Sequence, residues 1–257
     1  MLSQLLRRGA PFVLMIMTGT GLAGVAQADT TLTYAGQSGQ YVVSISPKAV
    51  RIDGDGAEWQ LYRQDDPAIL SVEPGEQTFT RLDQDTAGRI RNQMNDLRAR
   101  INQRLSQLPE GKRVAARMAM AEKIPGLNAG GKIGLDKTGA DDRVANVPCV
   151  VYQIIRDGQP ADTMCVASAD ALGISKDGFG TVRSMFSLLQ NMLKGTGLEG
   201  IGLPYQSLSG MPVRFVDGIS GEQRALVSVS HQDIPNSRFQ VPQSYVEQQP
   251  QAPRAGG

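Results

Sequence analysis

A change of period at Asp85 constrains the fold of this 257-residue chain more than any other feature. Before it, residues 30–82 are strand-like, with short β-prone runs at 41–45, 49–52, 58–62, 68–72 and 78–82. Turn material separates them: Asp53-Gly54-Asp55-Gly56, Gln64-Asp65-Asp66-Pro67 and Glu73-Pro74-Gly75-Glu76. Spacing this regular predicts an antiparallel meander rather than strand-helix-strand units. After Asp85, Ile90, Met94, Leu97, Ile101, Leu105 and Leu108 recur at intervals of three and four. At about 100° per residue they fall in a stripe roughly 80° wide, which predicts an amphipathic helix closed by Pro109. A second helix is expected over about 110–123. Residues 126–131 read as a loop, 132–135 return to strand character, and 147–166 read as a hairpin. Ser175 can cap a third helix that places Phe179, Val182, Phe186, Leu189 and Leu193 on one face, with glycines in 195–200 to stop it. The last expected strands are 211–216 and 224–230, and there is no internal repeat.

The N-terminus reads as an export signal. Arg7 and Arg8 precede an apolar run, small residues follow, and the stretch ends in Ala26-Gln27-Ala28, which predicts cleavage before Asp29. The apolar run is shorter than the roughly 20 residues that span a bilayer, and no second run of that length exists. No cysteine follows the cut to accept a lipid. Gly9-Ala10-Pro11 after the arginine pair differs from a twin-arginine motif, so general secretion into a Gram-negative periplasm is expected. The expected organisation is a signal peptide at 1–28 and one domain at 29–246. Its helices lie near 85–124 and 175–194, and a Pro- and Gln-rich tail at 247–257 is read as disordered. After cleavage 24 basic residues face 25 acidic ones, which argues against a nucleic-acid partner, where a basic surplus supplies affinity.

Cys149 and Cys165 are the only cysteines, and an oxidising compartment favours their pairing. A three-residue hairpin loop at Arg156-Asp157-Gly158 would set Ile155 against Gln159 and Cys149 directly opposite Cys165. Closing a ring of this size is worth roughly 3 kcal/mol on the chain-entropy account. A redox or metal-binding thiol pair is the alternative, and neither C-x-x-C spacing nor a neighbouring histidine supports it.

Catalytic chemistry is hard to find. The single histidine, His231, sits in a polar Ser230-His231-Gln232-Asp233 context and reads as surface. Residues 126–132 fit the first seven positions of a phosphate-binding loop, but Ile133 replaces the Ser or Thr that reaches magnesium, and the flanking elements are reversed. Residues 195–200 fit G-x-G-x-x-G only as a helix stop. Asp53-Gly54-Asp55-Gly56-Ala57-Glu58 lacks the donor spacing of a calcium loop and reads as a turn. Met118, Met120, Met185 and Met192 could offer soft sulfur to copper(I), though helical methionine is more often packing. No G-x-S-x-G elbow or paired carboxylates appear, so a non-enzyme without cofactor or metal is expected. The strongest charge feature lies on the two central helices. Arg89, Arg91, Arg98, Arg100, Arg104, Lys112, Arg113, Arg117 and Lys123 face only Asp85, Asp96, Glu110 and Glu122. This reads as a solvated face or as a surface for an anionic partner.

Three segments carry a resemblance. They are Leu105 to Arg113 leading to Met118 and Met120; Thr138-Gly139 through Val147-Pro148-Cys149 and Arg156-Asp157-Gly158 to Cys165 and Gly173; and Gly210 to Val213 with the closing Phe239 to Tyr245. Together they resemble an uncharacterised family of exported Gram-negative proteins, itself distantly similar to periplasmic lipoprotein carriers and related lipid binders. The resemblance implies an α+β fold: a strongly curved antiparallel sheet, an unclosed barrel, with two or three helices against its concave side. Those carriers hold acyl chains in aromatic-rich cavities, whereas this chain has one Trp and six Phe. The resulting expectation is non-catalytic binding of lipid or a lipoprotein's acyl chain between sheet and helices, at Met94, Leu97, Ile101, Leu105, Phe186 and Leu189. The alternative is an envelope protein-interaction or stress-related module without a small-molecule ligand, and a hydrolase without a recognisable motif is the third reading.

Overall fold

The computed structural model describes residues 29–37, 39–123, 133–194 and 205–249. The signal peptide, the loop at 126–131, the helix stop at 195–200 and the tail from residue 250 lie outside the described residues. The meander expected before Asp85 is a run of six strands: β1 (Thr30–Gly36), β2 (Gly39–Ile45), β3 (Ala49–Asp53), β4 (Trp59–Arg63), β5 (Ile69–Glu73) and β6 (Thr78–Leu82). Helices α1 (Gln84–Ser106) and α2 (Glu110–Lys123) follow, then β7 (Ile133–Val144), β8 (Val147–Arg156) and β9 (Gln159–Ser168). Helix α3 (Lys176–Leu193) leads to β10 (Gly210–Val216), β11 (Gln223–Ser230) and β12 (Val246–Gln248).

All twelve strands form one sheet in the order β12-β6-β5-β4-β3-β2-β1-β11-β10-β9-β8-β7, and its two ends do not meet. The fold is therefore α+β with an open, barrel-like sheet. Every neighbouring pair is antiparallel except β12 with β6. The pairings from β1 to β6 run without interruption. The other half is bulged, with register shifts between β1 and β11, β9 and β10, β8 and β9, and β7 and β8. A bulge adds a residue to one strand and sharpens local twist and bend.

Alternation along the strands divides the apolar residues between the two faces. Val50, Tyr62 and Ile69 join the main core with Val182, Met185, Leu188 and Met192 of α3, which lies on the concave side against β2 and β3. Ala49, Trp59 and Leu61 point the other way and are covered by Phe239, Ile234, Val241 and Tyr245 of the C-terminal segment. That segment explains one departure from expectation. Glu247 and Gln248, read from composition as the start of a disordered tail, are strand. Tyr245 is anchored in the outer core, and the Val246 N–H donates to the Gln77 carbonyl at 3.0 Å, which delivers the next residues to the edge of β6.

The disulfide joins Cys149 and Cys165 with their Cα atoms 5.5 Å apart, but the route differs from the expected one. The β8–β9 loop has two residues, Asp157 and Gly158, both at positive φ as a type I′ turn requires, and Arg156 pairs with Gln159. A bulge then shifts the register, so Cys165 stands directly opposite Val151. Cys149 lies two residues further along β8. Two residues is one full period of a strand, so Cys149 still projects from the same face and reaches Cys165 diagonally.

Candidate functional site

The site is built around α3. Ser175 caps the helix by accepting the Gly178 N–H at 3.0 Å, satisfying one of the donors left open in its first turn. Thr181 is fully buried and donates its hydroxyl to the Pro47 carbonyl at 2.7 Å, tying α3 to the turn between β2 and β3. Gly178 permits the close approach, because a Cβ there would stand 3.2 Å from Ile45 Cγ2. Held in this way, the helix leaves a gap beside its Val182–Phe186 turn.

The gap is a cavity of about 420 Å³. Val182, Met185 and Phe186 form one wall, and Val43, Val50 and Ile52 form part of the facing sheet wall. Two aromatic stacks frame it. Tyr34 and Tyr41, partners across the β1–β2 hairpin, stack with ring centroids 4.6 Å apart and planes within 3°. Phe186 stacks on Tyr205 at 4.2 Å. The Tyr34 hydroxyl donates to the Pro212 carbonyl at 3.0 Å. Burial, with a smaller contribution from Tyr41, raises the Tyr34 pKa well above the ordinary phenol value. Burial, then Tyr205, pushes Tyr41 up to about 12 against the opposing effect of Arg224. Both phenols are therefore neutral hydroxyl groups across the physiological range. Arg156 and Arg224 bring charge to the lining; Arg156 donates to the buried Asp162 carboxylate at 2.9 Å, and Arg224 to Glu222 at 3.2 Å. Such a site can receive an apolar body and offer it the Tyr41 hydroxyl, the Tyr34 hydroxyl being held by Pro212.

Of the six residues expected to bind ligand, Phe186 lines this cavity. Leu189 packs against the main core from the same helix. Met94 and Leu97 are half-buried on α1, and Ile101 and Leu105 are buried there; none of these four is in the cavity lining. The expectation missed Tyr34, Tyr41 and Tyr205. A readable signal existed for the first two, since tyrosines flanking a short hairpin turn fall opposite one another and stack. Tyr205 follows a segment outside the described residues, and no local pattern brings it to Phe186.

The other candidates take structural places. Asp53 accepts from Arg51 and Arg238, and Asp55 accepts the Gln40 N–H, so two of the three carboxylates of the calcium-like run hold protein donors. Arg51 also stands 3.7 Å over the Trp59 ring. Met185 and Met192 lie in the core, whereas Met118 is 67% exposed on α2. The exposed His231 ring fills the space a side chain on Gly173 would need. Among the described residues, no helix is long and apolar enough to cross a membrane.

No family model matches the chain, and no curated protein matches it. Among solved structures it is similar to MucB in complex with MucA(peri), at 13% identity and TM-score 0.33, covering 85% of this chain and 56% of that one. It is similar to MucB alone at 12% identity and TM-score 0.33, covering 85% and 59%. It is also similar to the Pseudomonas aeruginosa MucA/MucB complex, at 12% identity and TM-score 0.29, covering 85% and 57%. The chain thus spans less than two thirds of the length of these structures, and a likeness this shallow assigns neither a family nor a partner.

Proposed function

We propose that the chain is an exported, non-catalytic binding protein of the bacterial envelope that receives an apolar ligand, such as a lipid acyl chain, between α3 and the sheet. The observation that carries this reading is the cavity of about 420 Å³ with its apolar and aromatic walls. Its volume falls within the roughly 300–1,000 Å³ of small-molecule sites. Export rests on the Arg7-Arg8 signal and its Ala26-x-Ala28 end, and a Cys149–Cys165 bridge suits an oxidising compartment.

Uptake of a fluorescent fatty acid by the purified protein tests the reading, with native mass spectrometry of envelope-purified material to detect a copurifying lipid. Met185→Trp, which fills part of the cavity, should weaken uptake about tenfold, whereas Ile101→Ala should leave it unchanged. An absence of uptake by the unaltered protein removes the ligand-binding reading and leaves the protein-interaction module.

A further inference from the structure

The α1–α2 hairpin is a second candidate surface, separate from the cavity, because none of its residues lines that site. On α2, Val114 and Met118 stand one turn apart on the same face and are each 67% exposed. Ala116 and Met120, half-buried, lie on the far side of the helix from them. The apolar pair therefore points away from the rest of the molecule.

Charge surrounds it unevenly. Residues 84–123 hold nine basic and four acidic side chains, a net of +5. The remaining residues from Asp29 onward hold 15 basic and 21 acidic, a net of −6. Arg89, Arg100, Arg104, Lys112, Arg113 and Arg117 are exposed. Arg113 donates to the Leu108 and Ser106 carbonyls, Arg117 to Asn102 Oδ1 and Arg89 to Thr86 Oγ1. These acceptors are neutral, so the bonds orient the guanidinium groups without cancelling their charge. A molecule divided in this way turns its basic hairpin toward any anionic surface it approaches.

We propose that the α1–α2 hairpin seats the protein on an anionic phospholipid bilayer, with Val114 and Met118 entering the headgroup boundary and the arginines meeting phosphate. Two outward apolar side chains are too few for the desolvated centre of a stable protein interface, which buries about 800 Å² per partner and is depleted in charge. Long basic side chains around a small apolar insertion match the plane of an anionic bilayer, where the stems lie along the boundary and the heads reach phosphate. The inference stands whether or not the cavity takes a ligand.

Co-sedimentation of the full mature chain with phosphatidylglycerol–phosphatidylcholine vesicles, against pure phosphatidylcholine vesicles, tests it. Binding should be about tenfold or more stronger to the anionic vesicles and should fall as salt rises. The double variant Val114→Glu/Met118→Glu and, separately, Arg100→Glu/Arg104→Glu should each reduce binding about tenfold, with circular dichroism unchanged because all four positions are exposed. Equal partition into both vesicles, or anionic binding that neither variant changes, would overturn the proposal. Capture of soluble poly-glutamate with no vesicle binding would assign the surface to an acidic protein instead, and overturn it as well.

Discussion

Helices α1 and α3 carry apolar stripes of the same kind, yet they do different work. Helix α3 buries Thr181, Val182, Met185, Leu188 and Met192 along its length and walls the cavity. Helix α1 buries Thr86 and Ala87 near its start and Ile101 and Leu105 near its end, and leaves Ile90, Met94 and Leu97 between them half-buried. Connectivity accounts for the difference. Helix α3 links β9 to β10, which are neighbours in the sheet, so it stays within the concave face. The α1–α2 segment links β6, one strand in from one end of the sheet order, to β7 at the other end, and must cross over the molecule; α1 packs on α3 as it does so. A stripe specifies which face of a helix is covered, while the strands it joins decide what covers it.

The largest expected effect separates the two helices by stability. Leu188→Ala removes a core side chain that is 7% exposed and should cost about 2–5 kcal/mol, read from urea unfolding. Its counterpart in the middle of α1, Leu97→Ala, should cost less than about 1 kcal/mol. Equal costs would mean that α1 is as deeply embedded as α3, and the contrast would fail.

An intermediate effect comes from the caps. Asp83 caps α1 by accepting the Thr86 N–H at 2.9 Å, whereas α3 is capped by the hydroxyl of Ser175. Asp83→Ala should cost about 1 kcal/mol at neutral pH. Acid should then act on one helix and not the other. The Thr86 N–H, followed by Arg81 and opposed by desolvation, holds the Asp83 pKa below its ordinary 3.8. Its stabilising contribution is therefore complete above that value and is lost as pH falls through the lowered pKa. Amide exchange followed as pH is lowered from about 6 into the acid range below the ordinary carboxylate pKa should show protection lost progressively in the first turn of α1 and none attributable to the serine cap of α3. Equal fraying of both first turns would show that the caps do not set the difference.

The smallest expected effect bears on the cavity frame. Tyr41→Phe removes a hydroxyl but keeps the stack on Tyr34, so stability should change by less than about 1 kcal/mol. If a bound amphiphile uses that hydroxyl, its affinity should fall severalfold while the melting temperature holds.

Local elements were legible because their signals are local. The runs at 41–45, 49–52 and 78–82 alternate between turn clusters, and each lies within a strand. The Ser175 cap and the apolar face after it mark α3 to within a residue. Where such signals are weak, the reading fell short. Most of β7 after Leu135 is Asp-Lys-Thr-Gly-Ala-Asp-Asp-Arg, with no apolar alternation; it is strand because β8 offers a ladder of backbone partners, interrupted by a shift around Gly139 at φ +80°. Of the cavity lining, Phe186 was legible from helical periodicity; the α1 stripe lies outside that lining, and periodicity carries no information on where a helix sits over the sheet.

By itself the sequence determined the two structural periods, the turns between strands, the three helices and the pairing of Cys149 with Cys165. Each follows from residue types within a few positions of one another, or from a strand period that returns a side chain to the same face after two residues. Only the tertiary structure decided that β1 pairs with β11 across nearly the whole described chain, that β12 completes the edge at β6, and that Tyr205 meets Phe186 at the cavity. Those contacts rest on backbone hydrogen bonds and packing between distant segments. Such pairings join segments far apart in the chain, so the residue types within a few positions of each strand do not say which strand becomes its neighbour.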